Sequence, residues 1–147
     1  MTQEDKELLL RDLCARLPYG VKIELTWWVM GEGTYINTTL EPDHIEQLLN
    51  DEDGNTEIKP YLRPMSSMTE EEFTNLKEYS GLKYDQLDLA SFQNGTYKCL
   101  DFYLSEVPSG AVIRVFDWLN RYHFDYRDLI QMDLAIAVTK ENNPYKE

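Results

Sequence analysis

With 147 residues and 27 acidic side chains against 14 basic ones, the chain has the length of one domain and a formal net charge of −13. That sign excludes binding driven by a phosphate backbone, where Lys and Arg must displace counterions. A 42% apolar and 12% aromatic content excludes a disordered chain, and no stretch approaches the roughly 20 apolar residues of a membrane span.

The opening Met-Thr-Gln-Glu-Asp-Lys lacks the charged and apolar blocks of a signal peptide, so a cytoplasmic chain is expected. Cys14 and Cys99 then read as reduced, buried thiols rather than a disulfide framework or a metal knuckle. Thr2 can cap a helix to about residue 17, with Glu4, Asp5 and Glu7 near its positive end and Arg11 and Arg16 near its negative end. Leu10, Leu13, Cys14 and Leu17 share a face widened by Leu9, and the pairs Glu7–Arg11 and Asp12–Arg16 are assigned to the solvent side. Pro18-Tyr19-Gly20 ends the helix.

Residues 21–30 alternate, with Val21, Ile23, Leu25, Trp27 and Val29 facing one way and Lys22, Glu24, Thr26, Trp28 and Met30 the other. Gly31-Glu32-Gly33 reads as a hairpin loop leading into a second strand over 34–40, rich in Thr with Tyr35 and Ile36. Glu41-Pro42-Asp43 begins a short helix burying Ile45, Leu48 and Leu49. After the turn at Asp53-Gly54-Asn55, a strand over 56–62 should pair with one of the first two. Pro60 and Pro64 push their predecessors out of the helical region, which suits an edge strand or an extended crossing. Thr69 and Glu72 form a capping box, Met68 and Phe73 a hydrophobic staple, and Gly81 a left-handed stop for the next helix. Residues 96–104 suggest a final strand, residues 111–122 a helix with Val112, Val115, Phe116 and Leu119 inward, and residues 125–130 a short helix capped by Asp125. From Lys140 onward a frayed tail is expected. The fold class predicted is α+β, one domain over 1–147: a small antiparallel sheet of three or four strands with an N-terminal helix and C-terminal helices packed on it.

Three stretches carry a resemblance: residues 12–21, Asp-Leu-Cys-Ala-Arg-Leu-Pro-Tyr-Gly-Val; residues 60–72, Pro-Tyr-Leu-Arg-Pro-Met-Ser-Ser-Met-Thr-Glu-Glu-Glu; and residues 117–130, Asp-Trp-Leu-Asn-Arg-Tyr-His-Phe-Asp-Tyr-Arg-Asp-Leu-Ile. Together they resemble a family of small, uncharacterised proteins from gut anaerobes and their phages or mobile elements. The resemblance implies no activity and no catalytic residues. It implies Gly where this chain has Asp128 and Asp133, so that a left-handed backbone at Asp133 would cost more here than with Gly.

His123, Asp125 and Asp128, with Arg127, gather a base, acids and a cation within six residues, the set a small hydrolase would need. Capping and ion pairing account for the same residues, and neither a nucleophile elbow nor an activated Cys accompanies them. Residues 50–55 fail the calcium-loop template, because Leu49 and Pro60 fall where ligands belong, and the two histidines have no partners at zinc spacing. No metal or cofactor is implied. Trp27 and Trp28 must point to opposite faces of their strand; if Trp28 meets solvent, it joins Met30 and Tyr35 in an exposed apolar patch of the kind that marks a partner site. Residues 41–57 hold seven carboxylates, among them Asp43, Glu46, Asp51, Glu52 and Asp53, and no Lys or Arg. Such a run is a solvated face or a nucleic-acid mimic for a basic partner. The reading is therefore a non-enzymatic accessory protein that contacts another protein, with the His123 hydrolase and the acidic mimic as alternatives.

Overall fold

The computed structural model describes residues 1–52, 54–81, 88–94 and 109–146, with side chains from residue 113 in the last stretch. They fall into two compact units, residues 1–62 with 127–147 and residues 63–126. Each has its own buried apolar cluster.

The first unit is α+β. Helix α1 (Gln3–Arg16) starts at Thr2, whose hydroxyl accepts the Asp5 N–H at 3.0 Å in a reciprocal capping box. Its buried stripe is Leu9, Asp12, Leu13 and Arg16, while Leu10 and Leu17 are half-buried. Cys14, expected in the interior, is exposed, and Cys99 lies outside the described residues. Asp12 and Arg16, expected on the solvent side, are instead fully buried. A second cation explains this: Asp12 Oδ2 accepts from Arg16 Nε at 2.8 Å, and Asp12 Oδ1 from Arg127 Nη1 at 2.7 Å. A carboxylate leaves water only when its lone pairs are met by such charged donors.

Strands β1 (Lys22–Val29) and β2 (Glu32–Thr39) form an antiparallel hairpin in which Val29 pairs with Glu32. The turn is thus the two residues Met30 and Gly31, at φ 54° and 84°, and Glu32 and Gly33 belong to β2 rather than to a loop. Both positive φ angles match the right-handed strand twist, as a two-residue turn of this kind requires. Helix α2 (Pro42–Leu49) begins on Pro, with His44 Nδ1 accepting the Glu41 N–H at 3.0 Å; Leu48 is buried but Leu49 is exposed.

Strand β3 (Thr56–Leu62) pairs antiparallel with β1, and β4 (Ile136–Ala137) adds to β3 in parallel, giving the order β2-β1-β3-β4. The sheet is therefore mixed rather than wholly antiparallel, and β3 is an inner strand despite Pro60. The Trp28 N–H bonds to the Asn55 carbonyl at 3.0 Å, so odd-numbered residues of β3 bond toward β1 and Pro60 turns its missing N–H away. On that side β4 pairs only with Tyr61 and Leu62. The core behind the sheet is Leu9 and Leu13, Val21, Ile23 and Leu25, Leu40, Leu48, Ile58 and Leu62, with Leu129, Leu134 and Ala135.

Residues 125–128 are irregular and residues 129–133 form turns, so the predicted short helix over 125–130 is absent. Asp128 and Asp133 sit at φ 60° and 58°, a conformation that breaks helical continuity. The tail is anchored where fraying was expected: Tyr145 Oη accepts the Lys22 N–H at 2.9 Å and donates to the Tyr61 carbonyl at 2.7 Å. Burial outweighs the Lys22 hydrogen bond and pushes the Tyr145 phenol well above its usual pKa.

The second unit holds α3 (Glu70–Ser80), α4 (Leu89–Gln93) and α5 (Ser109–Arg121) around Met65, Met68, Leu76, Phe92, Val115, Trp118, Leu119 and Phe124. The predicted capping box is present, with the Glu72 N–H on Thr69 Oγ1 at 3.2 Å and the Thr69 N–H on Glu72 Oε1 at 3.0 Å. Glu72 is also gripped by Arg63, through Nη1 to Oε2 and through Nη2 to Oε1 at 2.8 Å, while the guanidinium lies 4.2 Å from the centre of the Phe124 ring. Burial acts to raise the Glu72 carboxyl, but Arg63 and the Thr69 N–H overcome it and hold it below the usual range. The strand suggested over 96–104 lies outside the described residues.

Two predictions follow from these ion pairs. Replacing Asp12 with Ala leaves a fully buried guanidinium without its carboxylate, and urea denaturation should show a loss of about 3–5 kcal/mol. Because the Glu72 pKa is depressed on folding, its stabilisation is full above the ordinary Glu value and drains as pH falls through the folded one. Glu72→Gln should therefore be less stable than wild type at neutral pH, with the gap between their denaturation midpoints closing as pH is taken from about 5 to about 3.

Candidate functional site

The face of β1 away from the core carries Lys22, Glu24, Thr26 and Trp28, opposite Thr39, Asn37, Tyr35 and Gly33 of β2. Alternation thus sends Trp27 to the core cluster and leaves Trp28 36% exposed. The Trp28 indole lies over its cross-strand partner: a Cβ added to Gly33 would come within 2.8 Å of Trp28 Nε1. The ring fills the space that Gly leaves open, a known way of supporting a glycine in a strand. One diagonal step away on the same face, Tyr35 is 68% exposed, and Met30 at the turn is 99% exposed. Val29 and Ile36 are also exposed, so the hairpin end is apolar and open to solvent.

Trp28 also lines a groove of about 360 Å³ with Met1, Thr2, Lys6, Leu48, Asp51, Glu52 and Glu57. The predicted aromatic and part of the predicted acidic run therefore meet in space. Asp51 is committed to structure: its two carboxylate oxygens accept the Asn55 and Thr56 N–H groups, each at 3.0 Å, and its carbonyl accepts Lys6 Nζ at 3.3 Å. Glu57 lies 3.3 Å from Lys59, whose amine is raised because Asp133 and Glu57 outweigh its desolvation. Glu52 is exposed, as are Asp43 and Glu46 on α2, which do not line the groove. Asp53 lies outside the described residues.

His123 follows α5 at φ 66°; its N–H donates to the Asn120 carbonyl at 3.2 Å and its carbonyl accepts the Arg63 N–H at 2.7 Å. Asp125 is buried, and its N–H donates to the Arg63 carbonyl at 2.9 Å. These two residues flank a backbone bridge to Arg63, while Asp128 belongs to the other unit. Among the described residues, no three His, Cys, Asp or Glu side chains converge as a metal site. No helix among the described residues is long and apolar enough to cross a membrane. No protein-family model, curated protein or solved structure matches the chain.

Sequence reasoning missed the Gly33 contact and the left-handed Met30. Gly31 after an alternating run was the available signal, since a two-residue turn ending on Gly puts the preceding residue at positive φ. Met is a poor choice there, and Asn is the favoured one. Met30→Asn should therefore stabilise the protein by about 1 kcal/mol, seen as a rise of about 3 °C in thermal midpoint.

Proposed function

We propose that this chain is a non-enzymatic binding protein that works by contacting another protein, an accessory of the phages or mobile elements suggested by its motifs. The observation that carries the reading is Met30. A fully exposed, flexible, apolar side chain occupies a backbone conformation that disfavours it, at the tip of a hairpin whose neighbours Trp28 and Tyr35 are also on view. Local stability favours Asn or Gly at that position, so the Met side chain has a use outside the fold. Methionine suits a contact surface because its unbranched thioether adapts to varied partners, and aromatic residues dominate the energetics of protein interfaces. The groove beside Trp28 supplies carboxylates at the rim of that patch.

Immobilised wild-type chain should retain a defined protein from a native host lysate, and Trp28→Ala and Met30→Asn should each reduce its capture at least tenfold while remaining folded. Equal retention by wild type and both variants would sink the proposal. Retention should also fall on raising salt, since a net charge of −13 favours a basic partner.

A further inference from the structure

Strand β2 ends the sheet, and among the described residues nothing pairs with its outer edge. Residues 32–37 are all exposed. Natural edges are usually blunted by Lys, Pro or a bulge. The sequence Glu-Gly-Thr-Tyr-Ile-Asn-Thr-Thr holds no Lys or Pro and only Glu32 as a charge, and all eight residues pair with β1 in unbroken register.

The register also says which backbone groups are free. The Leu40 N–H bonds to the Val21 carbonyl at 2.9 Å, and the two-residue turn closes on the pair Val29–Glu32. Hydrogen-bonded pairs alternate along an antiparallel ladder, so Glu32, Thr34, Ile36 and Thr38 bond to β1. Gly33, Tyr35 and Asn37 then direct their N–H and C=O groups to the open edge. Their positions on the aromatic face are occupied by nothing at Gly33, over which Trp28 reaches, and by an exposed phenol at Tyr35.

We infer that the β2 edge receives an extended segment of a partner protein as an added strand, and that the segment carries Lys or Arg at alternate positions. This inference rests on the protein-binding reading and names its chemistry. Main-chain hydrogen bonds to Gly33, Tyr35 and Asn37 hold such a segment, and alternate side chains give specificity. A cation placed opposite Gly33 meets the Trp28 indole, and one two residues away meets Tyr35. The charge of this unit points the same way, with 17 acidic against 8 basic residues over 1–62 and 127–147, and with Glu52 and Glu57 in the groove that Trp28 lines. A second copy fits less well, because it brings another −13 and its β2 offers only Glu32 as a charged residue.

The test uses the full-length chain, isotope-labelled for NMR, with a ten-residue alternating Lys/Val peptide and a Glu/Val peptide of equal length. The Lys/Val peptide should slow amide exchange at Gly33, Tyr35 and Asn37 and leave Thr34 and Ile36 unchanged, with sedimentation showing one copy of the chain. Tyr35→Pro deletes one outward N–H without touching the β1 ladder and should weaken binding about tenfold more than Tyr35→Ala, which keeps it. Binding near Trp28 with no protection at the three amides would overturn strand addition while leaving the protein-binding reading intact. Equal affinity for the Glu/Val peptide would overturn the basic partner. Protection of the same amides with doubled mass and no peptide would assign the edge to a second copy. Because the exchange pattern is read on the wild-type chain, the inference stays testable if Tyr35→Pro does not fold.

Discussion

Asp12 is the constraint on which the first unit depends. It sits on a helix that starts two residues into the chain, yet one of its two guanidinium partners, Arg127, is 115 residues away in sequence. An unpaired carboxylate is not tolerated in a dry interior, so the burial of α1 requires Arg127 to be in place. Tyr145 performs a similar closure further along, accepting from Lys22 and donating to Tyr61. The unit that presents the Trp28 face is therefore sealed by residues from both ends of the sequence.

The second unit is organised by Arg63. Its side chain closes on the carboxylate that caps α3, its guanidinium covers the Phe124 ring, and its backbone bonds to His123 and Asp125. A fork matched to a carboxylate in this way is directional, and Lys at position 63 would retain the charge but lose the paired geometry. The cluster around His123 is thus largely accounted for by architecture: a left-handed helix exit, a backbone bridge and a buried neighbour.

Features set by local chemistry were legible in the sequence. The helix caps at Thr2 and Thr69, the Gly81 stop, the Pro42 helix start and the alternation that separates Trp27 from Trp28 all depend on residues within a few positions of one another. What escaped depended on distant partners. Asp12 and Arg16 have the spacing of a solvent-facing pair, and only Arg127 makes them interior residues. Pro60 suggested an edge strand because its ladder phase is invisible without the register. Asp128 fell inside a predicted helix, whereas the chain takes a left-handed turn there, and the left-handed backbone at Asp133 was suggested only through the resemblance. Of the candidate site, alternation put Trp27 and Trp28 on opposite faces but left open whether Trp28 meets solvent, and the structural employment of Asp51 was not legible.

The split of the first unit into residues 1–62 and 127–147 has a consequence for synthesis. As the chain leaves the ribosome, its hairpin and first helix emerge well before Arg127 and Tyr145 exist to complete them. For the time needed to translate some sixty to eighty further residues, Asp12 lacks one counterion and the outer edge of β3, which β4 later pairs, is open on an unfinished body. Nascent chains are therefore most vulnerable to strand-mediated aggregation during that interval, and the long acidic segment that follows β2 keeps neighbouring polypeptides apart by charge until the last turn is made.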